Sequence, residues 1–442
     1  MKRIYNEYAY GPNPIKDSYW AETETVSDKE YPAIAGDAST DVAIIGGGFT
    51  GLNAALRLSE NGVTTRVLEA SNLGFGASGR NGGFCCLGGS KASNANLRRR
   101  FGEQARQDYR QAEKCAVDHV ADLLKRHNIN ADTHSQGETL LAHTPRVAGG
   151  FDAYCAEIET DYGVSPVITE KNDLPALGMN GPFHRAVTTP VGFALNPMKY
   201  ALGLGMAARR AGAIIHANSM VLRIETTAQG YVLHTAKARL RCKNLIIATN
   251  GYSSENVPEW MRARYLPVQS HILVTRPMSD AEIAAQGWST HQMSYDSREL
   301  LHYFRLMPNG QFLFGLRGGI HATQSSDKVV HLRARKQFES MFPAWRHIEP
   351  PYSWGGFVCL SAGLVPFCGE IPEMPGAYAG FAYHGNGVAM GSYTGALLAD
   401  LVMGNPDPVP LLMRKPPRRF PLGMHRKLLL RPAYAMAALF DK

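Results

Sequence analysis

Residues Asp41–Glu69 read DVAIIGGGFTGLNAALRLSENGVTTRVLE, and the order of properties along this stretch decides the fold. An apolar run, Asp41–Ile45, ends in Gly46-x-Gly48-x-x-Gly51. Leu52, Ala55, Leu56 and Leu58 then recur at helical spacing, and a second short apolar run closes on Glu69. The pattern is strand, glycine turn, helix, strand. Gly46 makes the tight turn, Gly48 lets backbone approach a pyrophosphate, and Gly51 lets the helix pack against the strand. The pyrophosphate rests on the positive end of that helix. Glu69 stands where an acidic side chain accepts hydrogen bonds from an adenosine ribose. With both strands, the helix and the acid in place, the stretch is a dinucleotide-binding unit.

A chain of 442 residues is long enough for two or three substructures. No segment is an apolar run of membrane-spanning length, and the first residues carry charges where a signal peptide has its apolar core. The seven cysteines (Cys85, Cys86, Cys115, Cys155, Cys242, Cys359 and Cys368) lack metal-type spacing, and the adjacent Cys85-Cys86 suits neither a structural disulfide nor zinc. A reduced, cytoplasmic protein without a metal site is the expectation. The net charge of +8 lies almost wholly in the last residues: beyond Leu411, eight Lys and Arg stand against Asp441 alone. The body is near neutral, and no nucleic-acid module or aromatic–basic alternation accompanies the basic tail.

Outward from the βαβ unit, residues 1–40 read as an irregular arm laid over the surface. The first domain is expected from 41–95, 190–251 and 352–410, a second from 96–189 and 252–351, and a basic tail from 411–442. Amphipathic helices are expected over 96–127, 145–162 and 391–403. Asn196 caps a helix whose first turn holds Pro197. Lys243–Thr249 reads as a buried parallel strand ending at Asn250-Gly251, on the carboxyl edge where ligands of open α/β sheets bind. Alternating runs at 266–275, 301–306 and 311–316, with Pro308-Asn309-Gly310 as a turn, predict an antiparallel sheet covered by a helix over 327–342.

Three further segments carry chemistry: the loop GFGASGRNGGF (Gly74–Phe84), WGGFVCLSAGLVPFCG (Trp354–Gly369) and YAGFAYHGNGVAMGSYTG (Tyr378–Gly395). The first places backbone flat against a ligand; in the last a glycine turn leads into a helix whose free N–H groups favour negative charge. Their order resembles the D-amino-acid oxidase/glycine oxidase superfamily of FAD enzymes over roughly residues 41–404. Within it the chain is most similar to the γ-glutamylputrescine oxidase-type branch, through GASGRNGG, WGG and HYFRLMPNGQFLFG (His302–Gly315). A simple nicotinamide dehydrogenase has no need of the glycine-rich C-terminal return.

The resemblance implies an α/β fold: a Rossmann-like FAD-binding domain of glutathione-reductase type and an α+β substrate domain on an antiparallel sheet. It implies non-covalent FAD, with the ADP half taken by Gly46, Gly48, Gly51 and Glu69. Ser78, Gly79, Arg80, Asn81, Gly82 and Gly83 would run along the pyrophosphate and ring, Val221 would lie by the adenine, and Gly385, Asn386, Gly387 and Val388 would face the N1/O2 edge. The reaction implied is hydride transfer from an amine-bearing carbon to flavin N5. The resulting imine hydrolyses, and O₂ reoxidises the flavin to give H₂O₂. No general base is required.

Departures from the family pattern bear on the substrate. Val358 stands where relatives carry an arginine that clamps a carboxylate, and valine cannot replace a bidentate guanidinium. Ala389 stands where sarcosine oxidases use lysine. Either the substrate has no α-carboxylate near the reacting carbon, or another cation holds it, with Arg305 and Arg317 as candidates. His384 beside the flavin edge, and Tyr252, Tyr303 and Phe304 as aromatic walls for an amine, complete the candidates; each of the three aromatics taken alone reads better as core packing. A small-molecule amine of γ-glutamylputrescine type is the leading substrate. An imino or N-methyl amino acid (pipecolate- or sarcosine-like), a quinone-linked dehydrogenase, and a non-catalytic flavin subunit are the rivals. The tail reads either as folded back over the body or as a weak contact with an anionic membrane surface.

Overall fold

The computed structural model describes residues 1–24 and 30–441. Its first sheet is built around Ala38–Ile45, which lies between two parallel partners, Arg239–Ile247 and Thr65–Leu68. A strand with neighbours on both edges and helices on its faces reads as an unbroken apolar run, as VAII does here. Ile214–His216 extends the parallel order beyond Thr65–Leu68, and Ala377–Phe381 adds to Arg239–Ile247 on the other side. Gly230–His234 and Arg223–Thr227 form an antiparallel extension from the N-terminal half of Arg239–Ile247. Helices Phe49–Glu60, Pro197–Arg210 and Ala389–Val402 pack together on this sheet.

The second sheet runs Tyr352–Leu360, Leu266–Val274, Phe312–Arg317, His302–Leu306, Met293–Asp296, Glu138–Leu141, Arg185–Thr189, Val167–Glu170. It is antiparallel except for the pair Met293–Asp296 and Glu138–Leu141. Alternation gives each face one job. Phe304, Phe312, Phe314 and Leu316 face helix Gln324–Met341 and join Trp288, Phe338, Phe342 and Trp345 in an aromatic core. The opposite face carries Ser270, Ile272, Tyr303, Gly315, Arg317, Tyr295 and, one strand further, Glu138. Phe304 therefore belongs to the core and Tyr303 to the other face.

Several boundaries differ from those expected. Tyr352–Leu360 pairs along its whole length with Leu266–Val274, so it belongs to the second sheet and the return to the first domain begins after it. The helix expected over 96–127 is two, Asn94–Phe101 and Glu103–Arg126, broken at Gly102 where φ is +88°. The longer of them packs against Ala389–Val402 of the first domain. The helix over 145–162 breaks at Gly149-Gly150. Pro197–Arg210 starts as read, with Asn196 Oδ1 accepting from the N–H groups of Met198 and Lys199.

The tail folds back over the body. Leu412 and Met413 enter the first core and Leu430 packs on Leu266 and Val268. Arg426, fully buried, forms a two-pronged ion pair with Glu255 at 2.5 and 3.0 Å. Helix Leu430–Phe440 ends where the Asp441 carboxylate accepts from the N–H groups of Glu299 and Leu300. Among the described residues, no helix is long and apolar enough to cross a membrane.

Candidate active site

Between the two sheets lies a cavity of about 610 Å³, a size that ligand sites of about 300–1,000 Å³ commonly have. One end is the glycine turn. Gly46 adopts φ +113°, and a Cβ on it would come within 2.7 Å of the Ala248 carbonyl oxygen. A Cβ on Gly51 would be driven into the carbonyl oxygen of Gly46, so the helix closes on the strand only with glycine there. Glu69 accepts from the N–H groups of Gly47 (2.7 Å) and Ser71 (2.9 Å), which aims its carboxylate along the turn. A carboxylate has about four lone-pair sites, so capacity remains for ribose hydroxyls. Val221 lies beside it on the cavity wall.

The loop Ser78–Gly83 forms one long wall. Ser78 Oγ accepts from Phe49 N–H at the helix start, 2.9 Å away. Two indoles hold the loop from behind: Trp20 Nε1 donates to the Asn81 carbonyl and Trp354 Nε1 to the Arg80 carbonyl, both at 2.9 Å. This is the structural task of the WGG segment, where Gly356 passes close beneath Arg80. Asn81 spends its amide on the loop itself, donating to Ala77 and Ser78 and accepting from Gly83. Gly79 and Gly83 lie behind the wall, packed on Gly74 and Leu195. Arg80 donates to the carbonyls of Phe75 and Gly355, but its Nη2 is buried without a partner among the described residues, as is the Tyr252 hydroxyl. Both residues face the cavity. Two orphaned buried donors are what a polar ligand would satisfy.

The C-terminal turn closes the cavity. Gly385, Asn386, Gly387 and Val388 line it, and the N–H groups of Gly387, Val388 and Ala389 have no backbone acceptor among the described residues. They sit at the N-terminus of helix Ala389–Val402, a place that favours negative charge. Asn386 ties the turn to the opposite loop by donating to the Leu87 carbonyl. His384 sits beneath, with φ +52° and 1% exposure. Its Nδ1 donates to the Gly89 carbonyl at 2.7 Å and its Nε2 accepts from Ser361 N–H at 3.2 Å. Burial lowers its pKa to about 4. The ring is a neutral pin for the turn, with both nitrogens already used.

Arg305 is buried away from the cavity wall. It donates to the Leu195 carbonyl at 2.8 Å, contacts His134 Nε2, and lies over the rings of Trp20 and Phe84. It supports the Gly83–Leu195 contact. Of the two hairpin arginines it is Arg317, twelve residues on and on the same face of the sheet, that reaches the wall. Tyr303 lies flat over Gly315, where a Cβ would strike its ring, and bonds Ser270 Oγ at 2.9 Å.

Sequence reasoning missed seven residues here. Met1, Arg3, Tyr10 and Pro12 of the N-terminal arm line the cavity, so the arm is wall as well as surface. Lys91 and Glu138 join Arg317 at the far end, with Tyr295 between the sheets. The ETLL of Glu138–Leu141 does not alternate, so nothing in the sequence marked it. Arg317 beside it, and then desolvation, lower Lys91 to about 8; its side chain is exposed in the open cavity, so the guanidinium is the firmer of the two causes. Burial raises Glu138 from 4.5 to about 7, which corresponds to about 3 kcal/mol. A carboxyl raised in the fold contributes its stability below about pH 4.5 and loses it as pH rises through about 7. Glu138→Gln is therefore expected to stabilise the protein at pH 8, by up to about 3 kcal/mol, and to change little near pH 4.5. Urea unfolding at the two pH values measures this.

A βαβ unit whose glycine turn opens on a cavity walled by a second, antiparallel sheet is the architecture of a two-domain flavoprotein oxidoreductase. Comparison with known proteins makes this specific. The family model for FAD dependent oxidoreductase (DAO) matches residues 41–401, and the chain belongs to that family. It is 29% identical over 435 residues to a probable oxidoreductase, OrdL, of Rhizobium meliloti, covering 97% of this chain and 99% of that one. It is 26% identical to the gamma-glutamylputrescine oxidoreductase of Escherichia coli, covering 90% and 91%. The crystal structure of glycine oxidase from Geobacillus kaustophilus superposes with a TM-score of 0.68 at 19% identity, covering 83% and 95%. The protein is an FAD-dependent oxidoreductase, and the orphaned donors, free N–H groups and glycine cradle described above fit that cofactor.

Proposed function

We propose that this protein oxidises a C–N bond of an amine of γ-glutamylputrescine type, with Gly46, Gly48, Gly51 and Glu69 holding the ADP half of FAD and the Ser78–Gly83 loop and Gly385–Val388 turn flanking its ring. When bound, FAD supplies the two-electron acceptor for the hydride that leaves the amine-bearing carbon. The nitrogen lone pair becomes the second bond of a C=N, and hydrolysis by water then gives the aldehyde and ammonia. The chain's own task is to orient that carbon, keep its nitrogen unprotonated and exclude bulk water. Tyr303, fixed by Gly315 and Ser270, offers an aromatic face to the amine. Arg305 and His384 act as positioning residues for the Gly83 loop and the Gly385 turn.

The observation that carries this reading is Val358 on the cavity wall, where the resemblance would put a carboxylate clamp, while the wall cations Arg317 and Lys91 come from other segments. Likeness to the gamma-glutamylputrescine oxidoreductase over most of both chains supports it. The test is anaerobic bleaching of the bound flavin by γ-glutamylputrescine, putrescine, sarcosine, L-pipecolate, glycine and D-alanine, with air then readmitted. Bleaching by γ-glutamylputrescine, and fast recovery with peroxide, is the expected result. Bleaching by sarcosine or L-pipecolate alone would favour an N-methyl or imino amino acid anchored by Arg317. Slow recovery would favour a quinone acceptor, and no bleaching would leave a flavin-binding subunit. Acid precipitation is expected to leave the FAD in the supernatant, because the attachment is non-covalent.

A further inference from the structure

The end of the cavity remote from the glycine turn holds three ionisable side chains without an ion-pair partner among the described residues, of which Glu138 meets the Cys86 thiol. Elsewhere in the interior, charges are matched: Arg426 with Glu255, Arg106 with Asp161, Arg110 with Glu113. Arg80 and Arg305 lack carboxylates but are held by backbone carbonyls. Arg317, Lys91 and Glu138 differ. Among the described residues none of the three has an ion-pair partner within 4 Å. The one hydrogen bond from Arg317 is a long one, 3.4 Å, to the His384 carbonyl. Unpaired charge on a cavity wall is costly unless a ligand completes it.

Their placement is fixed by the sheet. Arg317 ends Phe312–Arg317 opposite Ser270, and Glu138 opens Glu138–Leu141 opposite Met293. The alternation that turns Tyr303 and Tyr295 to the cavity turns both charged residues there as well. Lys91 comes from the loop that follows the Cys86–Gly88 contact with Asn386, and its ammonium feels both Arg317 and Glu138. The Tyr434 hydroxyl, from the tail helix, reaches the Gly319 carbonyl two residues beyond Arg317, so the folded-back tail packs beside this end.

Resting on the reading above, we infer that Arg317, Lys91 and Glu138 form a recognition site for an amino-acid head group, with the α-carboxylate on Arg317 and Lys91 and the α-ammonium on Glu138. Two cations and one carboxylate give the site a net positive charge. A zwitterionic head fits both signs at once. A free diamine presents only positive charge to a site that is already positive, and is disfavoured. The site therefore selects amines that carry a carboxylate at the end away from the reacting carbon, and Val358 leaves the reacting end without a clamp. The planar guanidinium can take the carboxylate on two oxygens, while the flexible lysine adds a point charge.

The test uses the FAD-loaded protein under anaerobic conditions and three amides whose propyl group replaces the aminobutyl arm, so that a spectral shift without bleaching reads binding and not turnover. These are γ-glutamylpropylamide, 4-aminobutanoylpropylamide (no α-carboxylate) and glutarylpropylamide (no α-ammonium). Binding is read from the flavin difference spectrum. The wild type is expected to bind the γ-glutamyl amide about tenfold or more tighter than either truncated head, as a charge-assisted hydrogen bond allows. Arg317→Gln should remove the advantage over the 4-aminobutanoyl amide without weakening that amide. Glu138→Gln should remove the advantage over the glutaryl amide, and its folding is safeguarded by the stability gain expected at pH 8. Equal binding of all three amides by the wild type overturns the inference. So does equal weakening of all three by Arg317→Gln, which would place the guanidinium on the cofactor. If the amides bind as expected while no terminal amine bleaches the flavin, the head-group site stands and the proposed reaction falls.

Discussion

Replacing Arg426 with methionine is expected to destabilise the folded protein by about 3–5 kcal/mol, because it strands a buried carboxylate. Arg426 is 0% exposed and Glu255 2%. The pair is bidentate, and Arg426 Nε also donates to the Tyr265 carbonyl at 2.6 Å. Glu255 additionally accepts from Ala263 N–H. With the guanidinium gone, Glu255 must ionise in an apolar setting or take up a proton. The melting temperature should fall by about 5–10 °C, on the scale of a few degrees per kcal/mol for large domains. The double variant Arg426→Met/Glu255→Leu should recover most of the loss, since a buried ion pair is often replaceable by packing. A loss of less than about 1 kcal/mol, the scale of a surface pair, would mean that the tail is not docked through this contact. The basic character of the tail thus includes one residue whose charge serves the fold.

What was legible in the sequence was local. The βαβ unit could be read because each of its signals lies close by along the chain: apolar runs, glycines and an acid at fixed offsets. The Asn196-Pro197 helix start was legible for the same reason. Helix breaks at Gly102 and Gly149-Gly150 were passed over because periodicity survives a short interruption while the backbone does not. The misplacement of Tyr352–Leu360 has a different origin. Nothing within that strand says whether its partner is Leu266–Val274, far back along the chain, or a strand of the first sheet.

The choice between Arg305 and Arg317 shows the same limit at the site. Both lie on one face of the hairpin, so strand period cannot separate them. The distinction comes from what covers each position: Trp20, Phe84 and Leu195 over Arg305, open cavity over Arg317. Those neighbours belong to the arm, the glycine-rich loop and the approach to helix Pro197–Arg210. His384 was legible as a residue of the turn but not as a pin, since its partners Gly89 and Ser361 arrive from two other segments. Glu138 and Lys91 carry no motif at all. They become candidates only when the sheet brings them to the same end as Arg317.

Gly51→Ala is expected to cost the protein most of its FAD on desalting while leaving most secondary structure in place. The added methyl would be driven into the Gly46 carbonyl oxygen and would meet the Ile44 side chain as well. These atoms are backbone and core and have no free rotamer to yield. Either helix Phe49–Glu60 backs away from the strand or the turn at Gly46 opens, and both move the N–H groups that face the pyrophosphate. Overpacking of this kind costs about 1–3 kcal/mol, which corresponds to roughly 10–100-fold in FAD affinity. Helix Ala389–Val402 cannot absorb the shift: Gly395 rests on the Thr50 carbonyl, and Thr50 Oγ1 is bonded to the Tyr383 hydroxyl and the Gly391 carbonyl. Displacing Phe49–Glu60 therefore disturbs the Gly385–Val388 turn too, so both ends of the cofactor lose their seats. The measurement is the flavin-to-protein absorbance ratio after desalting, beside far-ultraviolet circular dichroism. A variant that keeps its full complement of FAD would show that the closeness of Gly51 to Gly46 is not what shapes the turn.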